Sequence, residues 1–132
     1  MGLDNGFVVR GIPKNKIPCY VRLPFDDEDE DGSITIAYWR KCWGIREAIL
    51  KVLHPKKDEY TINVDAEDLP AIIRSLMKFC SKEYWEENGD SIWEFEEIFE
   101  FSLLQQIINL KWLYFYMNEA TEEVTCYFYD SF

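Results

Sequence analysis

The chain has a single histidine, His54, among its 132 residues, and that scarcity removes much of the usual machinery of acid–base and metal catalysis. His54 precedes Pro55 at what reads as a helix end, a place for a terminal residue rather than a base. No GxSxG, HExxH, GxGxxG or P-loop pattern occurs. Carboxylate pairs are plentiful in so acidic a chain, so two neighbouring acids carry little information. The chain reads as non-enzymatic, with no catalytic residue to assign.

Cysteine is sparse and scattered. Cys19, Cys42, Cys80 and Cys126 contain no CxxC pair and have apolar or aromatic neighbours, which predicts reduced core thiols rather than disulfides or zinc ligands. The longest apolar stretch, around residues 110–117, is interrupted by Lys111 and is too short to span a bilayer. The opening MGLDNG lacks the basic and apolar regions of a signal peptide, and Gly6 stands where a myristoylation motif wants Ser or Thr. A cytoplasmic protein is expected, with no membrane partner.

Basic charge is also short: 14 Lys and Arg stand against 25 Asp and Glu, a net charge of −11. A field of that sign disfavours nucleic acid as a direct partner and favours a basic protein surface or a cation. The acids come in blocks. One is Asp26, Asp27, Glu28, Asp29, Glu30 and Asp31; the other runs from Glu86 to Glu100, includes Glu94, Glu97 and Glu100, and holds no Lys or Arg. The plain alternative is that the acidity only keeps an aromatic-rich chain soluble.

What is present in quantity is apolar and aromatic material, 48% and 17% of the residues, enough for one packed domain. Gly6–Ile12 and Pro18–Leu23 read as strands, as do Tyr60–Val64 and Val124–Tyr129. Ile36–Leu53 has helical spacing, with Trp39, Cys42, Trp43, Arg46, Ile49, Leu50 and Leu53 on one stripe. Asp65 is a natural N-cap for a second helix running to about Tyr84, and a third is expected from about Ile92 to Asn118. Gly2–Gly6 has turn chemistry. The sum is a single α+β domain, an antiparallel sheet against about three helices.

Two stretches invite specific chemistry. In DDEDEDG, Asp27, Asp29 and Asp31 followed by Gly32 match the first half of an EF-hand loop, but the twelfth position is Tyr38, which offers no bidentate carboxylate. A calcium site on those three aspartates is one alternative to a simple charged turn. In YWRKCWGIR, Trp39, Arg40, Lys41, Trp43 and Arg46 form the densest cationic and aromatic cluster of the chain. Arg46 on an apolar stripe must pair or stack; the structural reading pairs it with an acid such as Asp4 or Glu97. The ligand reading gives the cluster a nucleotide-type small molecule, phosphate on guanidinium and base on indole. The aromatic residues Trp112, Tyr114, Phe115, Tyr116, Tyr127, Phe128 and Tyr129 suggest a self-association surface, hence a homo-oligomer.

The strings MGLDNG, IAYWRKCWGIR, DAEDLPAIIR, SIWEFEE and FYDSF resemble a group of small uncharacterised acidic proteins of bacteriophages. That resemblance implies an accessory protein acting on the host, such as an anti-defence or host-takeover inhibitor. Inhibitors of CRISPR systems and sponges for nucleotide immune signals both work by stoichiometric binding. The leading expectation is therefore a binder whose acidic blocks occupy a basic, nucleic-acid-binding surface of a host protein.

Overall fold

The computed structural model describes residues 4–24, 32–40, 43–53, 61–78 and 103–131. Four strands, β1 (Asp4–Arg10), β2 (Ile34–Arg40), β3 (Thr61–Val64) and β4 (Thr125–Ser131), form one antiparallel sheet in the order β2-β1-β4-β3. Helices α1 (Trp43–Leu53), α2 (Leu69–Met77) and α3 (Leu104–Glu119) pack against it. The α+β reading with three helices holds.

Strand periodicity decides which face the helices cover. On β1, Asn5, Phe7 and Val9 are fully buried and share one face. Register places Phe7 between Ala37 of β2 and Phe128 of β4, and Asn5 between Trp39 and Asp130. Ile45 and Ile49 of α1, Leu69, Ile72 and Leu76 of α2, and Leu110 and Leu113 of α3 close over that face in one core. Phe7 is its hub, with ring centroids 5.1 Å from Phe128 and 6.1 Å from Trp39, the latter edge-on. The opposite face of the sheet carries Gly6, Val8, Tyr38, Tyr127 and Tyr129. Gly6 has no substitute there, because a Cβ would lie 2.7 Å from both the Ala37 carbonyl oxygen and the Tyr129 ring.

The helix expected over Ile36–Leu53 is two elements. Residues 34–40 are a strand, and the helix begins only at Trp43. The cause is a β-bulge: register shifts between Phe7 and Val8, so Ile36 is an extra residue and Ile36, Ala37 and Trp39 are all buried. That breaks strict alternation and mimics a helical stripe, while the β-branched ITI run favours the strand. Trp39 therefore belongs to β2 and shares no helical stripe with Arg46.

Pro18–Leu23 is not a strand. It is an irregular segment fixed by side chains of α3. Asn109, fully buried, donates through Nδ2 to the carbonyls of Arg22 (2.8 Å) and Ile36 (2.9 Å), so it binds the segment and the bulge together. Gln105 Nε2 donates to the Tyr20 carbonyl and to Asn109 Oδ1, each at 2.9 Å. Two amides thus satisfy backbone carbonyls that no strand ladder serves.

The start of α2 follows the sequence closely. The Asp65 N–H donates to Asp68 Oδ2 at 3.1 Å, a 3-10 turn over Ala66–Asp68 leads in, and Pro70 sits in the first turn, where its missing N–H costs nothing. The expected extension to Tyr84, and the part of the third helix before Leu103, lie outside the described residues. Asp4 to Gly6, read as a turn, is already strand.

Candidate functional site

The residues of the sheet's covered face become polar at one end. Beyond the Phe7 row comes Asn5, flanked across the strands by Trp39 and Asp130. Asp130 is 4% exposed, and a carboxylate so buried requires compensation. Arg46 of α1 supplies it, with Nε donating to Oδ1 at 2.8 Å and to Oδ2 at 3.0 Å. Asn5 Nδ2 adds a third contact, to Oδ1 at 2.6 Å. The Arg46 side chain keeps 21% of its surface exposed, so the pair spans from solvent to core. The arrangement ties α1 to the end of β4 and neutralises a buried charge.

The requirement that Arg46 be paired is met, with Asp130 as a partner; of the acids named from the sequence, Glu97 lies outside the described residues and nothing is assigned to the Asp4 side chain. Asn5 and Asp130 are the residues sequence reasoning missed. The signal for Asp130 was parity: Cys126, Phe128 and Asp130 alternate inward along β4, all at 4% exposure or less. Asn5 was hidden because Asp-Asn-Gly reads as turn chemistry.

The other candidates are distributed unevenly. Trp39 is 4% exposed and its ring packs against Phe7, so it offers no open face to a base. Arg40 ends β2 and Trp43 opens α1; nothing further is assigned to their side chains. Lys41, the block Asp26–Asp31 with its proposed calcium ligands Asp27, Asp29 and Asp31, and Glu94, Glu97 and Glu100 all lie outside the described residues, as does His54. Among the described residues, no group of three or more His, Cys, Asp or Glu is placed to hold a metal ion. No helix among them is long and apolar enough to cross a membrane.

Of the thiols, Cys126 is the core residue expected, and burial pushes its pKa from 9.0 up to about 12. Cys19 is exposed, against expectation, because Pro18–Leu23 is a surface segment and not a strand. Of two clefts of about 360 and 520 Å³, the second is lined in part by that same segment. The first lies between Lys16 and the end of α3, the second between Lys14 and Leu23, and neither is lined by Trp39 or Arg46.

Comparison with protein-family models, with curated proteins and with solved structures finds no match.

Proposed function

We propose that the protein is a non-enzymatic binder that acts stoichiometrically by presenting acidic segments to a basic, nucleic-acid-binding surface of another protein. The observation that carries this reading is where the charge lies. The blocks Asp26–Asp31 and Glu86–Glu100 contain thirteen of the 25 acids of the chain and no Lys or Arg. Charge kept only for solubility gains nothing from such confinement. Clustered charge of one sign gives steering and selectivity toward a surface of the other sign.

The resemblance to bacteriophage proteins makes the partner a bacterial host protein, met in the cytosol, and the role anti-defence or host takeover of an anti-CRISPR kind. The nucleotide-sponge reading is weaker, because the buried Trp39 removes one of its two stacking platforms. A thermal-shift screen against cyclic and ADP-ribose-type nucleotides measures what Arg40, Lys41, Trp43 and Arg46 retain, since a ligand of the folded state raises Tm.

The test is retention from bacterial lysate on the immobilised protein, eluted in steps of rising salt. Nucleic-acid-binding proteins that leave at moderate salt support the proposal. Retention of acidic proteins only, or of nothing, contradicts it.

A further inference from the structure

The polar end of the sheet contains two atoms that the Arg46–Asp130 pair leaves unaccounted for. Asn5 Oδ1 and Trp39 Nε1 are both buried and have no hydrogen-bond partner among the described residues. One is an acceptor and the other a donor. A buried donor or acceptor left unpaired keeps its full desolvation penalty, so each calls for a partner.

Their placement is complementary. Asn5 lies on β1 between β2 and β4, opposite Trp39 on one side and Asp130 on the other. The Asp130 carboxylate, held by Arg46, is an acceptor, so the amide of Asn5 must turn Nδ2 toward it. The two ends of an amide diverge, so Oδ1 is turned away from that carboxylate, and the residue opposite Asn5 on its other neighbouring strand is Trp39. Directly opposed residues of an antiparallel pair have Cβ atoms about 4.5–5.5 Å apart, close enough for one small molecule to span their polar groups.

We propose that one buried water molecule bridges Trp39 Nε1 and Asn5 Oδ1. The indole N–H donates to the water oxygen, the water donates to Oδ1, Asn5 Nδ2 donates to Asp130, and Arg46 donates to Asp130 from the other side. Every link then points its hydrogen toward the carboxylate, a direction in which successive bonds polarise one another. The chain joins β2, β1, β4 and α1 through side chains alone. A water suits the site because it both donates and accepts and finds at least two polar partners there.

A crystal structure of the wild-type protein, at a resolution that orders internal waters, tests this directly. The expected result is one water peak about 2.7–3.2 Å from both atoms. A direct Trp39–Asn5 hydrogen bond, a dry site, or an ion in place of the water overturns it. In solution, the Trp39 indole proton, identified by its loss in Trp39→Phe, should show a dipolar cross-peak to water of the sign that marks a long-resident molecule. Absence of that cross-peak counts equally against the bridge.

Discussion

The core of this protein and its acidic blocks use charge in opposite ways. Among the described residues, the acid that enters the core, Asp130, is held there by Arg46 and Asn5. In Asp26–Asp31 and Glu86–Glu100 the acids stand with no Lys or Arg among them. A charge paired inside the core has little electrostatic reach, whereas a block of one sign gives a field that a partner of the other sign can follow. The Arg46–Asp130 pair contributes to stability, and the role proposed for the blocks is association. Substitutions in the two regions should therefore fail in different assays.

The largest loss of stability is expected at the hub. Phe7→Ala removes the ring that meets both Phe128 and Trp39 and should cost about 3–5 kcal/mol in denaturant unfolding. A loss under 1 kcal/mol would show that the helix-covered face is not a close-packed core. Next comes Asp130→Ala, which removes the carboxylate that Arg46 and Asn5 share and should cost about 3 kcal/mol, within the range for breaking a buried pair. Asn109→Leu leaves the carbonyls of Arg22 and Ile36 without their donor; a loss of about 1–3 kcal/mol is expected, with faster proteolysis in residues 18–24 as its local signature.

Against these, Glu94, Glu97 and Glu100 all changed to Lys should lower partner affinity far more than stability, as the role proposed for the block requires. If this triple variant unfolds, the separation between frame and blocks is false. The smallest effect is chemical. Near pH 8 a thiol reagent should label Cys19 in the folded protein and spare Cys126, whose proton burial retains up to about pH 12. The sign follows from that shift: a folded thiol that holds its proton while the unfolded one releases it loses stability as pH climbs from about 9 toward 12. Cys126→Ser should flatten that part of the alkaline profile.

Much of the frame was legible in the sequence. The β-branched and aromatic run Val124–Tyr129 marked β4, the alternating TINV marked β3, and Asp65 with its acids marked the entry to α2. The misreadings share one physical source, which is local pattern overruled by tertiary contact. The Ile36 bulge put two consecutive residues inside and imitated a helix. Pro18–Leu23 had strand composition, but its carbonyls are taken by Gln105 and Asn109, residues more than 80 positions away, and no local signal encodes such a bond. The polar site was half visible. Arg46 announced the need for a partner, while the choice of Asp130 depended on a register between the two ends of the chain.

The most direct test of the central claim is the affinity of the wild-type protein and its Glu94→Lys, Glu97→Lys, Glu100→Lys variant for the partner retained from lysate, measured at low and high salt. The account predicts binding at least tenfold weaker for the variant, a wild-type affinity that falls as salt rises, and unfolding curves that superimpose. Equal affinities at both salt concentrations, with both proteins folded, would contradict it.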